Sequence, residues 1–255
     1  MGILNGSGSA ANVTNYGILT LTDSIISNNT TNAIDRGAGG LYNAGIATIT
    51  NSTINNNYGN RNGGGIYNSG TLNLTNSTVK NNTARYNGGG ISNYSGRIFL
   101  KSSTVSNNNA SNGDGIYNSQ GQLSISNNSI ISLNQGSGIE SKGSLSITDS
   151  LISNNTTQGL YSQPELYSKA GNVTINSTIK DNGQEGIYNL GGAVSGTTII
   201  NVNNTVISGN GGEGISNYSI ANVKNSMINS NKNTGFSNVS YSATATVTNS
   251  VIREL

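Results

Sequence analysis

The feature that most constrains this chain is a repeat in which each unit opens with glycine followed by an apolar residue and, after a long first unit, is 21 to 28 residues long. The clearest unit runs from Gly65 to Gly89 and reads GIYNSGTLNLTNSTVKNNTARYNGG. Equivalent openings are Gly2-Ile3, Gly40-Leu41, Gly90-Ile91, Gly115-Ile116, Gly138-Ile139, Gly159-Leu160, Gly186-Ile187, Gly214-Ile215 and Gly235-Phe236. A period of this length is typical of repeat proteins whose units stack along one axis and share one core.

Each unit has room for three short strands. The first is Ile66-Tyr67-Asn68, the second is Leu72 to Thr75 with alternating apolar and polar residues, and the third is centred on Val79. Glycine and asparagine separate them, as expected at corners. Strands of the same type are too far apart in sequence for hairpins, so we predict an all-β chain in which they stack in parallel, about 4.8 Å apart.

The apolar positions predict the core. We expect Ile66, Leu72, Leu74 and Val79 to point inward and to stack on Leu41, Ala47, Ile49 and Ile54 of the preceding coil. Each such side chain contributes about 1.5–3 kcal/mol when buried. Ile175 and Ile179 are one residue closer together than Leu74 and Val79, which predicts a bulge or a slipped strand in the later coils.

Asparagines recur at two places in the unit, and two interpretations are open for them: hydrogen-bonded side-chain ladders along the axis or solvated turns. Those that close strand one are Asn43, Asn68, Asn93, Asn118, Asn189, Asn217 and Asn238. Those that follow strand three are Asn28, Asn56, Asn81, Asn107 and Asn154.

Composition excludes several functions. The chain has no Cys and no His, which rules out disulfides, a Ser/His/Asp triad and zinc sites built from Cys or His. Charged residues make up 9% and the net charge is +2, too little for a nucleic-acid footprint, so no nucleic-acid partner is expected. No apolar run is long enough for a transmembrane segment.

These repeats resemble the right-handed parallel β-helix, or pectate-lyase-like, superfamily, and in detail those of bacterial polymorphic outer-membrane and surface adhesin proteins. Gly63-Gly64-Gly65-Ile66 is similar to their GG-apolar-Ile element. Their F-x-x-N element has aliphatic counterparts here, such as Val79 to Asn82. The repeats predict one single-stranded β-helix domain of about ten coils over residues 1–255, and the last unit, which stops at Val251–Leu255, suggests a piece of a longer protein. The resemblance implies that this protein is secreted or on a cell surface. End-to-end association through open strand edges is a further expectation.

The corners suggest where a ligand would bind. The corner before strand one is long in early coils, as from Asn57 to Gly65, and tight from Asn134 to Gly138 onward. Strand one is therefore the floor of a predicted groove. Its outward residues include Tyr42, Tyr67, Tyr117, Tyr161 and Tyr188, and the early corners add Arg36, Arg61 and Arg85. Tyrosine faces suit sugar rings and arginines pair with carboxylate or sulfate, but tyrosine is also an ordinary strand residue.

Two pairs of acidic residues are the candidates for a catalytic site. Asp114 and Glu140 lie on adjacent coils near strand one, and Glu185 and Glu213 occupy equivalent positions one coil apart. Glycoside hydrolysis needs two carboxyl groups roughly 5–9.5 Å apart. We expect a non-catalytic adhesin or structural surface that contacts polysaccharide or host glycan, without an obligatory cofactor. The alternatives are a polysaccharide lyase or glycoside hydrolase with these acids as catalytic or calcium-binding groups and, with less support, an ice-binding surface formed by outward Thr20, Thr22 and their equivalents.

Overall fold

The computed structural model describes residues 2–4, 6–8, 12–32, 37–164, 171–191 and 196–254. Throughout these ranges the regular elements are β-strands, and all strand pairs are parallel, so the chain is a β-helix with three strands per coil. Strand one forms a sheet of 10 strands, and strands two and three together form a sheet of 19 strands. A third sheet consists of four two-residue strands in the early corners, Ser7–Gly8, Thr30–Thr31, Tyr58–Gly59 and Thr83–Ala84. The predicted all-β solenoid is confirmed.

The strands recur in the order that the repeat predicts. Strand one is Val13–Asn15, Leu41–Asn43, Ile66–Asn68, Ile91–Asn93, Ile116–Asn118, Ile139–Ser141, Leu160–Ser162, Ile187–Asn189, Ile215–Asn217 and Phe236–Asn238. Strand two is Ile18–Thr22, Ile46–Thr50, Thr71–Thr75, Arg97–Lys101, Gln122–Ser126, Ile199–Asn203, Ile220–Lys224 and Thr244–Thr248. Strand three is Gly2–Leu4, Ile25–Ser27, Thr53–Asn55, Thr78–Lys80, Thr104–Ser106, Ile130–Ser132, Val206–Ser208, Met227–Asn229 and Val251–Ile252. Ser144–Ser153 and Asn172–Lys180 each run through positions two and three without a break.

The core is a set of aliphatic columns along the axis. Ile66 pairs with Leu41, Leu72 with Ala47, Leu74 with Ile49 and Val79 with Ile54, as predicted, and all eight are buried. The predicted bulge is also present, because the register between Ser144–Ser153 and Asn172–Lys180 shifts between Thr148 and Leu151. One coil cannot cover its own core, so stability depends on this stacking.

The first unit differs from the prediction. Gly2–Leu4 pairs with Ile25–Ser27, which makes it a third strand rather than the opening of a unit. Val13–Asn15 pairs with Leu41–Asn43 and is the strand one of that coil. Gly2-Ile3 was therefore assigned to the wrong strand, because the two residues match the glycine-apolar signal by composition alone.

Asparagine ladders stabilise two corners of the coil. The asparagines that close strand one donate from side chain to side chain, for example Asn43 Nδ2 to Asn68 Oδ1 at 2.8 Å and Asn68 Nδ2 to Asn93 Oδ1 at 2.9 Å. After strand three, Asn56, Asn81 and their equivalents instead have positive φ and serve as turn residues. The next asparagine forms the second ladder, through Asn29, Asn57, Asn82, Asn108, Asn134, Asn155, Asn182, Asn210 and Asn231.

Hydroxyl groups fill the corner between strands two and three. There the backbone N–H of one coil donates to the hydroxyl of the next, as from Ser52 to Ser77 Oγ at 3.1 Å and from Ser77 to Ser103 Oγ at 3.1 Å. Most of these hydroxyls donate to a carbonyl two residues earlier, as Ser77 does to Thr75 at 2.8 Å, whereas Ser129 donates to Ser126. Polar side chains buried in this way satisfy backbone groups that the sheets leave unpaired.

Candidate functional site

The outward face of strand one carries one residue per coil in a single column. In register these residues are Thr14, Tyr42, Tyr67, Ser92, Tyr117, Glu140, Tyr161, Tyr188, Ser216 and Ser237. The register confirms that the five predicted tyrosines lie on one face. Their surroundings divide the column into a closed half and an open half.

The early half of the face is closed. Tyr42 and Tyr67 stack with ring centroids 5.5 Å apart and an interplanar angle of 8°. They pack with Ala38 of the long corner before strand one, and Tyr67 is only 4% exposed. Tyr117 is buried as well, with Lys142 Nζ 5.3 Å from its ring centroid. The expectation of exposed ring faces is wrong for these three residues, because the early corners fold over the strand.

The arginines lie on those early corners. Arg61 and Arg85 are exposed and line a groove of about 530 Å³ with Tyr86 and Asn112. They are one residue out of register, since the Tyr86 N–H donates to the Arg61 carbonyl and the Arg85 N–H to the Gly59 carbonyl. The Arg85 guanidinium lies 5.4 Å from the centroid of the Tyr86 ring. Arg36 falls outside the described residues.

An amide ladder forms the floor of this arginine groove. Asn87 Nδ2 donates to Asn62 Oδ1 at 3.0 Å, and Asn112 Nδ2 donates to Asn87 Oδ1 at 2.8 Å. The three asparagines are linked by parallel bridges of their backbones. The groove thus combines two guanidinium groups with amide groups and an aromatic ring.

Asp114 and Glu140 line a second cleft, of about 320 Å³, together with Asn112, Gln158 and Tyr161. Asp114 is buried and accepts hydrogen bonds from the backbone N–H groups of Ala110 and Ser137, at 3.0 and 3.1 Å. Burial raises the pKa of the Asp114 carboxyl, although these N–H donors oppose the shift.

Glu140 occupies the tyrosine column between Tyr117 and Tyr161. Its Oε1 accepts a hydrogen bond from Gln163 Nε2 at 2.6 Å. Burial raises the pKa of the Glu140 carboxyl, and the charge of Asp114 adds to the rise, whereas Lys142 opposes it. The structure therefore brings together the predicted pair of acids, in a position to share one ligand.

Glu185 and Glu213 lie farther along the rod. Each immediately precedes the glycine that opens strand one, and the Gly186 N–H donates to the Glu213 carbonyl, so they are on successive coils as predicted. Glu185 accepts a hydrogen bond from Gln158 Nε2 at 3.1 Å. Neither residue lines the Asp114 cleft. No cluster of three or more potential acidic, His or Cys metal ligands occurs among the residues that the structure describes.

The late half of the face is open. Tyr161 and Tyr188 are half-buried, with ring centroids 5.3 Å apart and a tilt of 58°. Tyr218 continues the row at 5.2 Å from Tyr188. Burial, together with a hydrogen bond to Tyr218, raises the pKa of the Tyr188 hydroxyl. Tyr218 was not predicted because it follows the strand-one asparagine, whereas the other tyrosines precede it.

The sequence comparison agrees with this architecture. A family model described as the right-handed β-helix region matches residues 95–252, more than half of the chain. The chain belongs to the right-handed β-helix family. No curated protein matches it in sequence. Among solved structures, the A-module of the Azotobacter vinelandii mannuronan C-5 epimerase AlgE6 is similar, with a TM-score of 0.49 and 14% identity over 98% of this chain and 80% of that one.

Other expected features of this β-helix can be placed as well. The outward threonines on strand two are interrupted in register, because Thr20 and Thr48 are followed by Asn73 and Phe99. The flat array of outward threonines that was considered as an ice-binding surface is therefore interrupted after two coils. Within the described part of the chain, no helix has the length and apolarity that crossing a bilayer requires.

Proposed function

We propose that this β-helix is a non-catalytic protein, displayed outside the cell, that binds polysaccharide along the open half of its strand-one face. The observation that carries the proposal is the row of Tyr161, Tyr188 and Tyr218, which begins beside the amide-lined Asp114 cleft. A tyrosine ring has an apolar body and a polar tip, which suits a ligand that presents both C–H groups and hydroxyls.

The geometry favours a linear polymer that lies parallel to the rod. The ring centroids follow one another at 5.3 and 5.2 Å, close to the spacing of about 4.8 Å between coils. Gln158 and Gln163 supply amide groups beside the rings. Tyr161 and Tyr188 stand on successive strands of a packed solenoid, so these rings lose little side-chain freedom when a ligand binds.

The arginine groove extends the binding surface toward the early coils. Asn112 lines both the arginine groove and the Asp114 cleft, so one polymer following the rod can reach both. Guanidinium groups bind carboxylate and sulfate through paired hydrogen bonds. Arg61 and Arg85 therefore favour a polysaccharide that carries acidic groups in part of its length.

A glycan array with the full chain tests this proposal. The expected result is selective binding that falls at least tenfold in Tyr161→Ala and Tyr188→Ala, a loss of about 1.4 kcal/mol each. Tyr94→Ala is the matched control, because Tyr94 is an exposed tyrosine that follows strand one outside the row. Absence of glycan binding, or equal losses in all three variants, would contradict the proposal.

Catalysis is the second candidate, and one observation favours it. Asp114 and Glu140 are two buried carboxyl groups with raised pKa values in a single cleft, an arrangement that also occurs at acid–base sites. A polysaccharide lyase or glycoside hydrolase would then release new chain ends from the bound glycans. Turnover that Glu140→Gln abolishes while binding persists would establish it, and chelation by EDTA would show whether calcium takes part.

A further inference from the structure

A column of apolar residues lies on the outward side of strand three in the later coils. In register it consists of Ile130, Leu151, Thr178, Val206, Met227 and Val251. The same column in the early coils is Ile25, Thr53, Thr78 and Thr104, so only one of these four residues is apolar. Ile130, Val206, Met227 and Val251 are 36–44% exposed. The fold accepts threonine at this position, so packing does not require an aliphatic residue there.

The first four members of this column line a groove at the bend between strands two and three, and Met227 and Val251 continue the column beyond it. The groove has a volume of about 570 Å³, and Ile130, Leu151 and Val206 line it together with Asn128 and Asn204. From Ile130 to Val251 the column spans five coil spacings, about 24 Å. We name it the elbow groove. Its lining residues are not shared with the Asp114 cleft or the arginine groove.

Leu133 provides a second observation on the coil of Ile130, at the end of strand three that is farther from the bend. It directly follows Ile130–Ser132, is 53% exposed, and has φ of 57°. The equivalent positions on the neighbouring coils are Asn107 and Asn154, residue types that tolerate this left-handed conformation much better than leucine does. An exposed leucine in an unfavourable conformation benefits neither folding nor solubility, and backbone strain of this kind is concentrated at functional sites.

We propose that the elbow groove binds an amphipathic α-helix of a partner protein, with the aliphatic face of that helix against Ile130, Leu151, Val206 and Met227. The spacing between coils along the groove favours a helical partner over an extended peptide. One helical turn rises 5.4 Å, near the coil spacing of about 4.8 Å, whereas same-face side chains of an extended peptide recur at about 6.6–6.8 Å. A helix of about 16 residues spans 24 Å.

The width of this strip further narrows the choice of partner. A strip about 24 Å long and three strand residues wide covers roughly 240 Å², far less than the 800 Å² or so per partner of a stable dimer. A slender, transient partner fits this area better than a second rod. The charges beside the groove are mixed, because Lys180 lies 3.3 Å from Asp181 and Asp149 also lines the groove, while Lys224 ends strand two. The partner helix is therefore expected to carry charged groups of both signs along its edges.

A displayed library of random 16-residue peptides, selected on the full chain, tests the proposal. The expected binders have aliphatic residues at i, i+3, i+4 and i+7, with charged residues beside them. A synthetic copy should bind at least tenfold more weakly to Val206→Ser and to Met227→Ser. Ile25→Ser is the matched control, because Ile25 has the same position in an early coil, outside the groove.

The variant Leu133→Asn distinguishes an effect on peptide binding from an effect on folding. This variant should raise the thermal midpoint and at the same time weaken peptide binding, which a purely structural role for Leu133 would not do. The proposal is overturned if no binder is selected, if binders show period-two patterns, or if Val206→Ser binds them equally well. It is also overturned if the groove variants abolish self-association of the chain, since the occupant would then be a second copy.

Discussion

The second asparagine ladder makes a quantitative prediction at Asn108, near its middle. Asn108 Oδ1 accepts hydrogen bonds from the backbone N–H and from Nδ2 of Asn82, at 2.9 and 3.1 Å. Asn108 Nδ2 donates to the Val79 carbonyl and to Asn134 Oδ1, both at 3.1 Å. All four bonds are buried and are lost in Asn108→Ala.

The loss of stability in Asn108→Ala depends on which neighbouring groups keep another hydrogen-bond partner. Asn82 Nδ2 keeps the Ile54 carbonyl, and Asn134 Oδ1 keeps the Asn108 N–H, but the Asn82 N–H loses its acceptor. One unpaired buried donor costs about 1–3 kcal/mol, and the other three bonds contribute about 0.5–1.5 kcal/mol each. The free energy of unfolding should therefore fall by about 3–7 kcal/mol, a large part of the 5–15 kcal/mol or so that is typical of a native protein.

Urea unfolding followed by circular dichroism measures this change. The control is Asn107→Asp, because Asn107 is exposed with φ of 54° and aspartate occupies the equivalent left-handed position at Asp181. That control should change stability by no more than about 0.5 kcal/mol. If the two variants unfold within about 0.5 kcal/mol of each other, the ladder does not stabilise the fold as argued.

Three further predictions concern the faces of the rod. Tyr67→Ala should lower the free energy of unfolding by about 3–5 kcal/mol, because the ring is buried against Tyr42, with glycan affinity unchanged on the array. Leu133→Asn should raise stability in urea by about 1 kcal/mol, since the left-handed conformation costs leucine about 1–2 kcal/mol. Glu140→Gln should be more stable than the parent above pH 4.5 and equal to it at lower pH. Burial raises the pKa of Glu140 in the native state, so the unfolded state loses this proton first as the pH rises. Between the two pKa values the parent therefore loses stability relative to Glu140→Gln. Parallel pH–stability curves for the two proteins would refute this.

The sequence predicts the strands and core of each coil well, because the spacing of the apolar residues is tightly constrained. Each coil must place Ile66, Leu72, Leu74 and Val79 over the same residues of its neighbour, so spacing and alternation determine strand order, register and core together. Even the bulge beside Ile175 follows from one missing residue. Predictions of this kind depend only on contacts between adjacent coils.

Corners are harder to predict, because their conformation depends on contacts across the rod. Tyr42 and Tyr161 have the same position in the repeat, yet Ala38 of an early corner covers one and the other lies in an open cleft. The ladder assignment shows the same limit. Asn81 and Asn82 are adjacent and chemically identical, and only the backbone decides which is a turn and which is a ladder member.

The two halves of the rod differ on both faces, and the change begins at the same coil. From Asn134 onward the corner before strand one is tight, which opens the tyrosine face. Ile130, just before it, is the first apolar residue that lines the elbow groove, and the exposed Leu133 is on the same coil. In a solenoid each coil contacts only its neighbours, so neither surface requires the other for folding. The tyrosine row and the apolar column of the later half can therefore vary without loss of the fold, whereas Tyr42 and Tyr67 of the early half are buried and contribute to it.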